Sequence, residues 1–261
     1  MPYADNNQGA RIYYEVEGQG PPLVLGHGGG DSLEMWRNFG YTGDLKDNYR
    51  LVLFDLPGHG KSSRLEDTGI PGGISNNIIA VLDALEIDKA HYFGYSAGAA
   101  AGFDLALHHA ERFYSFVLGG MTPYAWPEAM VKAVQISIDL YRLLIESPEL
   151  YLLRMSRMLR RPLTQEDRDH FLNQDAEARI AGLSAMISGA VFTDQDLAKI
   201  KAPCLIYCGD QDPFYPGAKE AAGHIPGATF LGLPGLNHIT AITQRELVLS
   251  QILEFLIYAN E

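Results

Sequence analysis

The sequence has few cysteines, few basic residues and no long apolar run. Among its 261 residues are two cysteines, and 20 Lys and Arg stand against 32 Asp and Glu, for a formal net charge of -12. Nucleic acids and anionic membrane surfaces both attract clustered basic side chains. No apolar stretch is long enough to cross a bilayer. We therefore expect neither a nucleic-acid partner nor a membrane partner.

The two cysteines, Cys204 and Cys208, fall four residues apart in one predicted strand. At the rise of an extended chain their Cα atoms would lie roughly 13 Å apart, too far for a disulfide. They are interpreted as core thiols in a reducing compartment, without the spacing of metal ligands. The first ten residues are polar and lack the apolar core of a signal peptide. The expected location is the cytoplasm, and no metal is expected.

Short apolar runs alternate with helical patterns along most of the chain. The runs at 51–54 and 204–208 are continuous, as in strands buried on both faces of a parallel sheet. Helical spacing is present at 74–85 and 97–109. An early run at 13–16 predicts a strand in an antiparallel hairpin at the sheet edge. The pattern predicts an α/β fold with a mostly parallel central sheet of about eight strands flanked by helices.

One stretch breaks this alternation. Between about residues 122 and 190 the pattern is helical, and no strand run occurs until residues 202–203. We interpret residues 122–190 as a helical cap over the carboxyl edge of the sheet. Residues 1–121 and 191–261 then form the α/β core.

The segment Gly94-Tyr95-Ser96-Ala97-Gly98 follows a predicted strand and opens a helical pattern. Gly-x-Ser-x-Gly in that setting is a nucleophile elbow, in which a strained turn holds the serine hydroxyl at the sheet edge. Side chains at either glycine would collide with neighbouring backbone. Ser96 is therefore the predicted nucleophile.

A serine hydroxyl needs a base, and a histidine base needs a carboxylate partner. Of the eight histidines, His238 follows the last predicted strand, at the sheet edge where a base would meet Ser96. Asp210 and Asp212 both follow the strand at 204–208 and are both candidates for the acid. We favour Asp212, with Asp210 as the alternative; one of the two is expected to serve the turn.

An oxyanion needs two backbone N–H donors. Ala97, directly after the nucleophile, supplies one. The loop His27-Gly28-Gly29-Gly30 follows an early strand and supplies the other, because glycine lets the backbone approach a substrate closely. Gly29 is the favoured donor, with Gly28 and Gly30 as alternatives.

Three aromatic residues are predicted to contact substrate. Tyr95 precedes the nucleophile, and Tyr124 and Trp126 begin the predicted cap. The competing interpretation for Tyr124 and Trp126 is that they pack the cap onto the core. The glycine-rich segment 55–62 lacks the spacing of a phosphate loop and is interpreted as a structural turn.

These motifs together resemble those of the α/β-hydrolase family, in its capped esterase and lipase-like branch. The resemblance extends over nearly the whole predicted core and includes Gly18-x-Gly20-Pro21-Pro22, His27-Gly28, Trp36, Asp55-x-x-Gly58-His59-Gly60-x-Ser62, the elbow, Ala202-Pro203, Gly209-x-x-Asp212-Pro213 and Gly235-x-x-His238. It implies that Asp212 is the triad acid, that Gly29 gives the oxyanion donor, and that 55–62 is structural.

At three positions the sequence differs from what some members of the family carry. Asn237 stands where Gly is frequent, and Ile239 stands where many carbon–carbon bond hydrolases of this fold have Trp. Ser96 in place of a nucleophilic Asp makes family members that form alkyl-enzyme esters poor models.

The expected function is that of a serine hydrolase acting on a small or medium carboxylic ester, without cofactor or metal. Its expected partner is a small-molecule ester substrate, and the sequence does not indicate an oligomeric state. The alternatives are a lactonase, thioesterase, cyanohydrin lyase or cofactor-free perhydrolase on the same triad, or a small-molecule receptor on this scaffold.

Overall fold

A central sheet of eight strands organises the part of the chain that the structure describes. The computed structural model describes residues 2–6, 9–63, 73–189 and 191–259. The strands are β1 Tyr3–Asp5, β2 Arg11–Glu17, β3 Pro22–Gly26, β4 Arg50–Phe54, β5 Ala90–Tyr95, β6 Phe113–Gly119, β7 Cys204–Gly209 and β8 Thr229–Leu233. Their order across the sheet is β1-β2-β4-β3-β5-β6-β7-β8.

Most neighbouring strands run parallel. Parallel pairing extends from β4 through β3, β5, β6 and β7 to β8. β2 is antiparallel to both β1 and β4. The predicted fold class is confirmed, and the early run at 13–16 lies within β2. Its hairpin partner β1 has no strand pattern in the sequence, because only Ala4 of its three residues is buried.

Helices connect the strands. They are α1 Glu34–Asn38, α2 Tyr41–Leu45, α3 Gly73–Ala84, α4 Ala97–His108, α5 Glu128–Glu146, α6 Pro148–Leu159, α7 Gln165–Leu172, α8 Ala176–Ile187, α9 Asp194–Leu197, α10 Tyr215–His224, α11 His238–Thr243 and α12 Glu246–Tyr258, with a 3₁₀ turn at Ala110–Arg112. α5 to α8 follow one another between β6 and β7, where the sequence predicts a helical insertion.

The sheet is covered on both faces. On one face, alternate residues of the central strands, such as Leu25 and Phe93, join a buried cluster with Trp36 of α1 and Ile252 of α12. On the other face α4 contacts β3, β5 and β6. Gly102 permits this contact, since a Cβ there would lie 2.3 Å from the Leu118 side chain. The small residues of α4 therefore set how closely this helix approaches the sheet.

The chain divides into two compact units. One comprises Met1–Ala125 and Ala190–Glu261, and the other Trp126–Gly189. The first contains the sheet. The second is built from α5 to α8 around its own cluster of Leu144, Tyr151, Leu152 and Ala176. The domain boundaries that we predicted at 122 and 190, and the placement of the insertion as a cap, stay predictions.

The structure also bears on the predictions for the two cysteines and for membrane-spanning segments. Cys204 and Cys208 are free and buried in β7, which confirms that they are core thiols. Within the described ranges, no helix combines the length and apolarity needed to span a membrane.

Candidate active site

Ser96 lies in a strained turn between β5 and α4. Its backbone has φ 52° and ψ −114°, a region that residues with a side chain rarely adopt. Its N–H donates to the carbonyl oxygen of Gly119 at 2.9 Å, and its own carbonyl accepts from the Ala100 N–H at 2.9 Å. Strand and helix thus hold this conformation from both sides.

The two glycines of the elbow are required by close backbone contacts. A Cβ on Gly94 would lie 2.4 Å from the Gly98 carbonyl oxygen, and a Cβ on Gly98 would lie 2.1 Å from the Gly26 carbonyl oxygen. Real Cβ atoms do not approach backbone oxygens this closely. The structure therefore supports the steric explanation of the Gly-x-Ser-x-Gly pattern.

The loops that carry the predicted site residues leave the same edge of the sheet. Since β3, β5, β7 and β8 run in parallel, their carboxyl ends meet there. The chain passes from β3 to β4 on one side and later to β5 on the other side of β3. Such a switch point is where open α/β sheets bind ligands.

His238 is the first residue of α11, five residues after β8 ends. Asn237 caps this helix: its side-chain oxygen accepts from the N–H groups of Ile239 and Thr240, both at 3.0 Å. The Thr240 hydroxyl in turn accepts from the Asn237 N–H at 2.8 Å. This capping box gives Asn237 a local role that the frequent glycine would lack. It also fixes the backbone at His238.

The structure brings Asp212, and not Asp210, to His238. Asp212 Oδ2 lies 2.7 Å from His238 Nδ1, and its Oδ1 accepts from the Phe214 N–H at 3.0 Å. Its side chain is fully buried. Asp210 instead accepts from the Gly235 N–H at 2.8 Å and so stabilises the turn after β8. The two carboxylates that sequence analysis left as alternatives therefore occupy different sites.

Ser96, His238 and Asp212 form a continuous hydrogen-bonded series. His238 Nε2 lies 3.1 Å from Ser96 Oγ. Because Nδ1 donates to the Asp212 carboxylate, a neutral His238 presents an unprotonated Nε2 to the serine hydroxyl. This is the tautomer that accepts a proton from a nucleophile. Ser96 is 7% exposed, as expected for a nucleophile at the base of a site.

The glycine turn after β3 lies beside Ser96. A Cβ on Gly28 would be 3.7 Å from the Ser96 Cβ. The Gly28 N–H points to Met35 Sδ at 3.5 Å, and the Gly30 N–H donates to His59 Nε2 at 3.0 Å. Across the described residues, no protein group accepts from the N–H groups of Gly29 or Ala97. These two donors are therefore available to a bound group.

His27 fixes the peptide that carries the Gly29 N–H. Its Nδ1 lies 2.7 Å from the Gly28 carbonyl oxygen, which also accepts from the Asp31 N–H at 3.3 Å. Its Nε2 accepts from the Leu56 N–H at 2.9 Å, so Nδ1 carries the proton. Burial lowers the pKa of His27 to about 4, which keeps the ring neutral. In a trans peptide the N–H points away from the carbonyl, so anchoring one directs the other.

Tyr95 lies beneath the site and not on its surface. It is 2% exposed, and its hydroxyl donates to the carbonyl oxygen of His238 at 2.5 Å. Its ring centroid lies 5.4 Å from that of His238. Burial raises the pKa of the Tyr95 hydroxyl well above its ordinary value. This placement favours a role for Tyr95 in positioning His238. The substrate contact that we predicted for Tyr95 stays a prediction.

The other two predicted substrate contacts lie in different units. Tyr124 is half-buried, and its hydroxyl donates to Asp194 Oδ1 at 2.7 Å. Burial raises the pKa of that hydroxyl. Trp126 is half-buried in the helical unit. Substrate contact by either residue stays a prediction.

Sequence analysis missed the supporting contacts of three residues, Asn237, Tyr95 and His59. The Asn237 cap had a detectable signal, because Asn is a favoured N-cap residue; Thr240, three residues later, completes the capping box in the structure. The contacts of Tyr95 with His238 and of His59 with Gly30 join residues 143 and 29 positions apart. No local pattern in the sequence predicts such contacts.

A parallel sheet with Ser, His and Asp at its carboxyl edge is the architecture of the α/β hydrolases. A model of the alpha/beta hydrolase fold family matches residues 21–157, more than half of the chain. The chain therefore belongs to the α/β-hydrolase fold family, and it is a hydrolase.

Two curated relatives and one solved structure are similar to the chain. 3-oxoadipate enol-lactonase 1 of Acinetobacter baylyi is 28% identical over 80% of this chain and 78% of its own. A 2-hydroxy-6-oxononadienedioate/2-hydroxy-6-oxononatrienedioate hydrolase of Burkholderia vietnamiensis is 31% identical over 79% of this chain and 76% of its own. The enol-lactonase structure from Burkholderia xenovorans LB400 has a TM-score of 0.77 at 23% identity, over 98% of this chain and 100% of its own. This last similarity concerns the fold alone.

Proposed function

We propose that the chain is a serine hydrolase that cleaves a small or medium carboxylic ester through an acyl-enzyme. One observation carries the proposal: hydrogen bonds of 3.1 and 2.7 Å connect Ser96 to His238 and His238 to Asp212. A serine hydroxyl becomes an effective nucleophile when a base takes its proton. His238 is placed to be that base, and the buried Asp212 carboxylate stabilises the imidazolium that forms.

In the first half of the reaction, Ser96 Oγ bonds to the ester carbonyl carbon while His238 Nε2 takes the hydroxyl proton. The carbonyl oxygen becomes an oxyanion, to which the N–H groups of Gly29 and Ala97 donate. As the ester C–O bond breaks, His238 returns its proton to the leaving alcohol. The acyl group remains on Ser96.

Water completes the reaction. His238 takes a proton from the water molecule as its oxygen bonds to the acyl carbon, and a second oxyanion forms in the same place. The bond between that carbon and Ser96 Oγ then breaks, and His238 returns the proton to Oγ. The carboxylic acid leaves, and the chemistry requires no cofactor.

The position of Ala97 supports its role as a donor. It is the first residue of α4, a helix of 12 residues, so its N–H has no partner within the helix. The aligned peptide dipoles place partial positive charge at this end and favour a developing oxyanion. Gly29 fits the same role because its N–H meets no acceptor among the described residues and its peptide is anchored by His27.

A lactone is a second candidate substrate class. The observation in its favour is that the Acinetobacter relative, 28% identical over 80% of this chain, is named an enol-lactonase. A lactone is a cyclic ester, so the same groups would act in the same order. The difference is that the leaving alcohol stays attached to the acyl chain.

Hydrolysis of p-nitrophenyl esters from acetate to octanoate tests the main proposal. We expect turnover by the wild type and a loss of about 10⁴-fold or more in Ser96→Ala. The control is Ser250→Ala, an exposed serine on α12, which should keep wild-type rates. If Ser96→Ala were as active as the wild type, another group would be the nucleophile and the proposal would be wrong.

A matched pair of substrates separates the two classes. γ-Butyrolactone and ethyl butyrate contain the same ester group in cyclic and open form, and proton release measures both. A kcat/KM at least tenfold higher for the lactone would favour the lactonase. Turnover of the open ester without turnover of the lactone would exclude it.

A further inference from the structure

We propose that His59 is a positioning residue of the active site, which holds the Gly28–Gly30 turn so that the Gly29 N–H faces the oxyanion. The inference rests on the proposed function, because it assumes that Gly29 donates to that oxyanion. His59 lies in the 55–62 segment, which the sequence marks only as a turn.

The proposal rests on which acceptors the N–H groups of Gly28, Gly29 and Gly30 meet in the structure. Gly30 donates to His59 Nε2 at 3.0 Å, and Gly28 faces Met35 Sδ at 3.5 Å. Within the described part of the chain, Gly29 alone of the three has an N–H without a protein acceptor. His59 thus occupies the donor that would otherwise compete with Gly29.

His59 also fixes the second peptide plane beside Gly29. His27 anchors the Gly28–Gly29 peptide through the Gly28 carbonyl, at 2.7 Å. His59 anchors the Gly29–Gly30 peptide through the Gly30 N–H. Gly30 has φ +80°, and glycine allows the neighbouring peptides to rotate easily. Without His59, one of the two planes around Gly29 loses its anchor.

The ring of His59 is itself held in the required tautomer. A backbone N–H only donates, so Nε2 is unprotonated and the ring proton is on Nδ1. Nδ1 lies 3.0 Å from the Pro57 carbonyl oxygen, which accepts a hydrogen bond from the Nδ1–H group. The ring also packs against His27, with centroids 5.3 Å apart. The His59 ring is thus held with Nε2 directed at the Gly30 N–H, from which it accepts a hydrogen bond.

The loop around His59 is anchored independently of the ring. The Asp55 carboxylate accepts from the N–H groups of Leu33 and Lys61, both at 2.8 Å. The Gly58 N–H donates to the Ser63 carbonyl at 3.0 Å. His59 is only half-buried, so its replacement leaves these contacts and the core in place. An effect on turnover is therefore separable from an effect on folding.

Two variants test the acceptor role. His59→Leu keeps an apolar volume and removes the acceptor, whereas His59→Gln places an amide oxygen near the position of Nε2. We expect the kcat of His59→Leu to fall about tenfold, less than the loss of a whole oxyanion donor, with KM changed less than threefold. His59→Gln should recover most of kcat. His108→Leu, which removes an exposed histidine at the end of α4, is the control and should match the wild type.

The outcomes distinguish this inference from the proposed function. Wild-type kcat in folded His59→Leu, or an equal loss in both His59 variants, would overturn the role of His59 while an inactive Ser96→Ala still supports the serine mechanism. An active Ser96→Ala would instead overturn the serine mechanism.

NMR of the wild type gives a measurement that does not depend on the folding of a variant. The ring nitrogens of ¹⁵N-labelled histidine report the tautomer, and the His59 signals are assigned in the wild type through correlations from its ring to its own backbone. We expect the proton on Nδ1. A proton on Nε2 would contradict the inference.

Discussion

The turn at Ser96 and the pair formed by His238 and Asp212 are held in different ways. Ser96 is fixed by backbone geometry, where the end of β5, the start of α4 and two glycines define the turn. His238 and Asp212 depend on side-chain hydrogen bonds between residues 26 and 142 positions apart. The turn is therefore a steric property of a short segment, and the pair is a product of the assembled sheet.

This difference determines how each region fails. Substitution of an elbow glycine forces backbone atoms apart and lowers the free energy of unfolding. Substitution in the pair of His238 and Asp212 leaves the backbone in place and, under the proposed mechanism, lowers turnover. Four predictions test this contrast.

The largest effect is expected in the pair. Asp212→Asn should lower kcat by about 10³–10⁴-fold with little loss of stability, because an amide neither fixes the His238 tautomer nor stabilises its cation. Asp210→Asn should stay within a few-fold of the wild type, since the amide oxygen still accepts from Gly235. Ester hydrolysis and thermal unfolding of both variants check this. A greater loss in Asp210→Asn would reverse the assignment of the acid.

A large stability effect is expected at the turn. Gly98→Ala places a Cβ 2.1 Å from the Gly26 carbonyl oxygen, and should cost about 3 kcal/mol or prevent folding. Gly43→Ala is the matched control, because no atom lies within 4 Å of its Cβ and it is an exposed residue of α2. Urea unfolding should show Gly43→Ala unchanged or slightly more stable. Equal stability of the two variants would contradict the steric explanation.

His27, which anchors the Gly28–Gly30 turn, should make the stability of the protein depend on pH. Burial lowers the pKa of His27 from 6.5 to about 4, so between these values the unfolded chain binds a proton that the folded chain does not. Stability should therefore fall as the pH drops from about 6.5 to about 4, by about 3 kcal/mol from this residue. His27→Gln does not titrate and should lose that much less stability over the range. Parallel unfolding curves against pH for the two proteins would argue against a neutral, buried His27.

The smallest effect on turnover is expected from the loss of the hydrogen bond between Tyr95, in the turn, and the backbone of His238. Tyr95→Phe removes the hydrogen bond to the His238 carbonyl, which corresponds to about 1 kcal/mol and a several-fold fall in kcat. Tyr41→Phe is the control, because the Tyr41 hydroxyl donates to Ile242 at the far end of α11, at 3.1 Å. Comparable losses of stability are expected, with lower turnover in Tyr95→Phe alone. A changed KM with unchanged kcat would instead favour the substrate contact predicted from the sequence.

The sequence was most informative where the signal is local. The elbow was predicted because strand, glycines, serine and helix are adjacent. β1 was missed because a short edge strand buries only one side chain and so leaves no apolar run. The substrate contact that we predicted for Tyr95 stays a prediction, since a position next to Ser96 does not by itself determine the direction of a side chain. That direction follows from the packing of Tyr95 beneath α11.

The sequence by itself determined the parallel sheet, the helical insertion, the elbow and the family resemblance, because continuous apolar runs and glycine spacing act over a few residues. The tertiary structure alone decided that Asp212 contacts His238 while Asp210 holds a turn. It also decided that Gly30 donates to His59 while the Gly29 N–H has no acceptor in the described part of the chain. These choices depend on the directions of hydrogen bonds between distant loops. Such directions exist only when the carboxyl ends of β3, β5, β7 and β8 lie at one edge.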